Sequence, residues 1–177
     1  AQVLSPTAGP VEAQILSLPK CSLTHLDLSL NALPADALGP ICEALGCNEG
    51  IQSISLAGNS FGQAAEPRMI APLLRLIKGT NVLTSINLSA VQLLRPCTTA
   101  LLGALMMNRS LTRVNLSSLG QLDHTHAGLV GEVLTKCTRL VEFNLADNRL
   151  GQDGAKELGM HLERSTGSIS RKFLLNL

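Results

Sequence analysis

Asp123-His124-Thr125-His126 sets two imidazoles beside a carboxylate, the side-chain types that hold zinc. Ligands one and two apart on a single loop seldom close a coordination sphere by themselves, so the stretch reads better as a solvated loop or a helix start capped by Thr125. His25 and Asp27 fall two apart, on one face of an extended segment, but the sequence sets no serine or cysteine nucleophile beside them. Five cysteines, Cys21, Cys42, Cys47, Cys97 and Cys137, lack the paired spacing of a zinc or redox site. They read as reduced, mostly buried small hydrophobes, as in a cytosolic or nuclear protein. There is no glycine-rich phosphate loop ending in Lys-Ser or Lys-Thr, no Gly-x-Ser-x-Gly elbow and no His-Glu-x-x-His helix. The expectation is a non-enzymatic chain with no catalytic residues, no cofactor and no metal. Three Asn-x-Ser triplets, at Asn87, Asn108 and Asn115, read as chance, because two of them fall inside expected strands.

Composition narrows the class further. The 177 residues are 45% hydrophobic and 15% charged, with a net charge of +1. Only Phe61, Phe143 and Phe173 are aromatic; there is no Trp or Tyr. That apolar content excludes disorder, and the length fits one domain or at most two small ones. Near-zero charge and missing stacking rings argue against a nucleic-acid partner. The apolar run Met69–Ile77 is broken by Pro72 and Arg75 and is shorter than the ~20 residues of a membrane span, so no membrane insertion is expected. Ala1–Pro6 resembles no secretory signal, which favours the cytoplasm, and the missing initiator Met suggests a piece of a longer protein.

So uniform an aliphatic core points to repetition. The pattern L-x-x-L-x-L recurs at Leu23/Leu26/Leu28, Ile51/Ile54/Leu56, Leu83/Ile86/Leu88, Leu111/Val114/Leu116 and Leu140/Phe143/Leu145, and again at Leu175/Leu177. Starts at 23, 51, 83, 111, 140 and 172 are separated by 28, 32, 28, 29 and 32 residues. Residues 1–22 then read as a remnant of a preceding repeat or an N-terminal flank, and 23–177 as repeats whose last is truncated. A stop at Leu177 leaves leucine faces that a further repeat or cap would cover.

Within each unit, leucines two apart place one strand face inward. The residues that follow carry a helical stripe: Leu38/Ile41/Cys42/Leu45, Ile70/Leu73/Leu74/Ile77, Leu101/Leu102/Leu105, Leu129/Val130/Val133 and Ala155/Leu158/Leu162. Pro34, Pro67, Pro96 and Gly151 punctuate helix starts. A unit of this kind cannot bury its own apolar face, so the units must stack. The expected fold is α/β: a curved solenoid with a parallel sheet on the concave face and helices on the convex face.

Leu-Thr-His-Leu-Asp-Leu-Ser-Leu-Asn-Ala-Leu at 23–33 and Leu-Val-Glu-Phe-Asn-Leu-Ala-Asp-Asn-Arg-Leu-Gly at 140–151 resemble the ribonuclease-inhibitor-like class of leucine-rich repeats, over about residues 10 to 177. Ala104–Leu116 resembles, more narrowly, the repeat domains of CARMIL-type capping-protein linkers and tropomodulins. That resemblance implies a protein-interaction scaffold with an actin-regulatory role. In CARMIL-type proteins a separate basic segment binds capping protein, and no such segment stands in these residues. Two other roles occur on repeats of this shape. One is GTPase activation of the RanGAP type, for which Arg68 or Arg95 would be the candidate arginine although the acidic tail is missing. The other is sensing within an innate-immune receptor.

Alternation then exposes His25, Asp27, Ser53, Ser55, Ser85, Asn87, Arg113, Asn115, Glu142 and Asn144 on the concave side. They are either solvated strand positions or a partner surface of modest affinity centred on Arg113 and Glu142, since no aromatic anchor is present. Two longer loops supply rim candidates: Gln63, Glu66 and Arg68 in one, Asp123, His124 and His126 in the other. Asn31, Asn59 and Asn148 occupy the slot that bonds backbone groups of neighbouring units, whereas Val91 and Leu119 cannot do so. Irregular turns with other donors are expected there.

Overall fold

The computed structural model describes residues 22–61, 66–164 and 174–177. Six three-residue strands, β1 (His25–Asp27), β2 (Ser53–Ser55), β3 (Ser85–Asn87), β4 (Arg113–Asn115), β5 (Glu142–Asn144) and β6 (Leu174–Asn176), form one parallel sheet in sequential order. Between them run α1 (Leu38–Gly46), α2 (Ala71–Gly79), α3 (Arg95–Met107), α4 (Ala127–Lys136) and α5 (Gly151–Arg164). Each strand pairs with the next in the register the repeat implies, Leu26 with Ile54, Ile54 with Ile86, Ile86 with Val114 and Val114 with Phe143. Each helix packs on its neighbours in sequence, the nearest-neighbour stacking of a solenoid. The expected α/β solenoid is what forms, and the sheet stays open rather than closing into a barrel.

The inward strand residues and the helical stripes meet in one continuous aliphatic core. Among the described residues, Phe143 and Phe61 are its aromatic rings, both fully buried. One stripe differs from expectation. On α5, Ala155 is exposed and Gly154 is buried in its place beside Leu158, with Leu162 half-buried. A methyl group built at Gly154 would lie 3.1 Å from the His124 backbone, so glycine lets the helix sit against the preceding unit without a tight contact.

The third residue past each of β1–β5 takes the same left-handed backbone. Leu30, Gly58, Ala90, Ser118 and Asp147 all have left-handed backbone, with φ of 57°, 66°, 55°, 57° and 58°. This reversal ends the strand while keeping the inter-unit ladder intact: Leu30 N donates to Ala57 O, Gly58 N to Ser89 O, Ala90 N to Ser117 O and Ser118 N to Ala146 O, at 2.8–3.0 Å.

Polar side chains then staple neighbouring units together from inside. Asn59, fully buried, donates through Nδ2 to Leu28 O (2.9 Å) and Leu56 O (2.8 Å) and accepts at Oδ1 from Leu33 N (3.0 Å) and Asn31 N (3.2 Å). Asn148 repeats the arrangement with Leu116 O, Leu145 O and Leu119 N. Val91 and Leu119 fill the same slot with buried hydrocarbon. As expected, other donors serve the turn at Val91: its own N–H bonds Leu88 O (3.3 Å) and Leu93 N bonds Val91 O (3.1 Å).

A second ladder, at the helix exits, has no counterpart in the leucine pattern. Asn48, Thr80 and Asn108 each accept from backbone N–H groups two and three residues ahead. Asn108 also donates to Ile77 O of the preceding unit (2.6 Å), and the Cys137 thiol donates to Leu105 O (2.9 Å). The two sets of staples divide the interfaces between them. The first and second units, and the fourth and fifth, are joined at the turn edge by Asn59 and Asn148. The second and third, and the third and fourth, are joined at the helix-exit edge by Asn108 and Cys137. Burial of Asn108 among these bonds also agrees with reading its Asn-x-Ser triplet as chance.

Candidate functional site

Pleating puts two rows of side chains on the concave face. In register, the first runs His25, Ser53, Ser85, Arg113, Glu142 and the second Asp27, Ser55, Asn87, Asn115, Asn144. The structure thus brings together all ten concave candidates. His25, Asp27, Arg113 and Glu142 are exposed and the other six half-buried.

The second row is largely committed to the fold. Asn87, Asn115 and Asn144 each accept, at Oδ1, the N–H two residues ahead (3.0 Å in all three cases). Asp27 does the same with Ser29 N (2.9 Å). The Ser29 hydroxyl and N–H hold the Asp27 carboxyl below its ordinary range, and Ser29 Oγ reaches Ser55 Oγ at 2.6 Å. Pinning each amide by its oxygen leaves the Nδ2 protons of Asn87, Asn115 and Asn144 without a partner among the described residues. They form a row of donors spaced by the ~4.8 Å strand separation.

Arg113 and Glu142 are Cα partners on adjacent strands, yet no ion pair joins them among the described residues. Both charges therefore remain available to an incoming group. With Ser85, Asn87 and Asn115 they line a shallow depression of about 200 Å³ over β3–β5. It can hold a polar or charged side chain of a partner.

The rim candidates separate. Gln63 lies outside the described residues. Glu66 and Arg68 are exposed and paired with each other (2.7 Å). His124 is exposed, but His126 is 2% exposed and is no rim contact. The helix start is capped by Asp123 rather than Thr125: the carboxylate accepts from Thr125 N (3.1 Å) and sits 3.1 Å from His126 Nδ1, while Asp123 N donates to His126 Nδ1 (3.4 Å). His126 Nε2 lies 3.2 Å from Thr99 Oγ1 on α3, so the imidazole is used up tying two units together. Asp123 is held at about 2 by the Thr125 hydroxyl first, then by His126, the Thr125 N–H and Arg95. Among the described residues, no three His, Cys, Asp or Glu side chains converge on a point that would hold a metal ion.

Neither candidate finger arginine is unattached. Arg68 pairs with Glu66, and Arg95 binds Asp123 and Thr125. Of the described cysteines, Cys42, Cys97 and Cys137 are buried and Cys47 is exposed; burial pushes the Cys42 thiol up to about 12. A groove of about 280 Å³ between α1 and α2 runs past Cys42, Glu43, Pro72 and Arg75. A further cavity opens at the turn edge by Leu94, Gln121 and Arg149, residues that neither the repeat nor the loop lengths single out. The signal for it is one extra residue: two residues separate Leu119 from Leu122, where one separates Val91 from Leu93 or Asn148 from Leu150.

No protein-family model matches the chain. It is 32% identical over 151 residues to human NACHT, LRR and PYD domains-containing protein 13, which covers 85% of this chain and 14% of that protein. The tropomodulin C-terminal domain of Caenorhabditis elegans superposes with a TM-score of 0.66 at 14% identity, covering 93% of this chain and 95% of that one. The fold is a leucine-rich-repeat solenoid. The leiomodin-1 actin-binding site 2 domain shares it, with a TM-score of 0.63, 17% identity and coverage of 93% and 94%. This chain spans about one seventh of the length of the curated relative. Among the described residues no helix is long and apolar enough to cross a membrane.

Proposed function

We propose that this leucine-rich-repeat chain is a non-enzymatic protein-interaction module of the cytoplasm, binding its partner across the concave sheet face. The observation that carries the reading is the depression over β3–β5, where unpaired Arg113 and Glu142 stand beside the Asn87 and Asn115 amides. Opposite charges left unjoined in adjacent register positions suit a partner that brings the complementary pair, which favours orientation and specificity over raw affinity. Actin is the first partner to test, because the leiomodin-1 domain of the same fold is described as an actin-binding site. GTPase activation has less support, since Arg68 and Arg95 are both ion-paired.

A second reading rests on the 32% identity to the NACHT-containing protein: the chain would supply sensor repeats whose concave face engages another protein. Sedimentation with filamentous actin and a binding assay on monomeric actin separate the two. The actin reading expects binding by the native chain and its loss in the double variant Arg113→Glu/Glu142→Lys. Absence of actin binding by the native chain rejects it. Whatever the partner, binding unchanged by reversing both charges rejects the concave face as the working surface.

A further inference from the structure

The turn edge of the third and fourth units departs from the rest of the solenoid in three ways that coincide. The asparagine slot holds Val91 and Leu119. Gly120, with φ of 76°, is the additional residue in the turn. And a cavity of about 290 Å³ opens there, lined chiefly by Gln92, Leu93, Leu94, Leu119, Gln121 and Arg149. Leu93 and Leu119 are buried and give it an apolar floor, while Leu94 stays 42% exposed at its wall. Arg149 is exposed and has no acidic partner among the described residues, because the nearby Asp123 carboxylate is taken by Arg95, Thr125 and His126.

The geometry points to a second binding site here, for a carboxylate carried on a short aliphatic group, such as the C-terminal end of a partner chain whose last residue is Leu, Ile or Val. Arg149 supplies a donor of fixed charge for the carboxylate, the side-chain amides of Gln92 and Gln121 add donors, and the Leu93–Leu94–Leu119 surface takes the branched carbons. The volume lies at the lower limit of the ~300–1,000 Å³ of small-molecule pockets, which suits a chain end better than a cofactor. The site does not depend on the concave face, whose depression uses none of these residues.

The probe is 4-methylpentanoate, with 4-methylpentanamide as its neutral counterpart and acetate as its apolar-free counterpart. In a ¹⁵N-labelled sample of the chain, 4-methylpentanoate is expected to give saturable shifts confined to residues 92–94, 118–121 and 149. The amide should bind about fivefold more weakly, the factor expected when an exposed charge pair is removed. Arg149→Gln should reduce the carboxylate to the amide's affinity, and Arg149→Lys should retain part of the difference, with spectra elsewhere unchanged in both. Lack of saturation at these residues, equal binding of carboxylate and amide, or equal binding of acetate and 4-methylpentanoate would each overturn the assignment.

Discussion

Asn59→Leu isolates what an internal amide contributes to a stack of leucines. The side chains are close in volume, so the change opens no cavity, and Leu119 shows that the slot accepts leucine. What is lost is the set of four bonds to Leu28 O, Leu56 O, Leu33 N and Asn31 N. An orphaned buried backbone group costs about 1–3 kcal/mol. Taking the lower bound for each of the four gives a loss of about 4 kcal/mol, a large share of the ~5–15 kcal/mol stability of an ordinary domain. With a urea slope of about 2 kcal/mol/M, the unfolding midpoint should fall by about 2 M. Far-UV circular dichroism is the assay, because a chain with no Trp or Tyr gives no useful fluorescence. Asn31→Ala is the control: its side chain makes a half-buried bond to Ser29 O and should cost under about 1 kcal/mol. A midpoint for Asn59→Leu within about 0.5 M of the native chain would refute the reasoning, because the turn would then be satisfying its own backbone without the amide.

The other predictions concern packing, acid and thiols. Gly154→Ala should cost about 1–3 kcal/mol, since the new methyl meets the His124 backbone. Gly131→Ala should cost more, because its methyl would lie 2.5 Å from His161 Cγ and 2.9 Å from His161 Cβ, and turning the ring does not move Cβ; thermal melts rank the two. Asp123 sits well below its ordinary value of 3.8 when folded. Its stabilisation is therefore complete above about pH 4 and is lost as pH falls through about 2. Melting temperature should drop across that window, and Asp123→Asn should lower stability at neutral pH while flattening the drop. Maleimide labelling at neutral pH followed by peptide mapping should modify Cys47 quickly. Cys42, Cys97 and Cys137 should react only on unfolding.

The sheet is legible in the sequence because hydrophobic period alone sets it: the spacing of Leu26, Ile54, Ile86, Val114 and Phe143 brings them into line across the strands. The turn-edge ladder is legible for the same reason, being one residue type at one offset. The helix-exit ladder is hidden because Asn48, Thr80, Asn108 and Cys137 share a position and no single residue type. Ala155 points inward on apolarity and spacing, whereas at that contact the His124 backbone comes so close to Gly154 that even a methyl would be tight. His126 looks like a rim residue because it sits among polar neighbours; its pairing with Asp123 and Thr99 across units is a tertiary fact with no local signature. The members of the concave rows can be enumerated from alternation. That Arg113 and Glu142 lie side by side unjoined, over a depression shared with Asn87, depends on side-chain placement.

The division of staples between the two edges gives the solenoid a direction of compliance. At the interfaces flanking the third unit, directional bonds from Asn108 and Cys137 pin the helix-exit edge. At the turn edge the slot holds Val91 and Leu119, so no side-chain amide reinforces the backbone bonds Gly58 N–Ser89 O and Ala90 N–Ser117 O there. Tension applied along the superhelical axis should therefore not stretch every interface alike. It should swing the outer pairs of units apart about the helix-exit rail, as pages turn on a binding, with the middle of the molecule yielding while the Asn59- and Asn148-stitched ends move as blocks. Such a spring would register mechanical load by gaping between Leu93 of the third unit and Leu119 of the fourth.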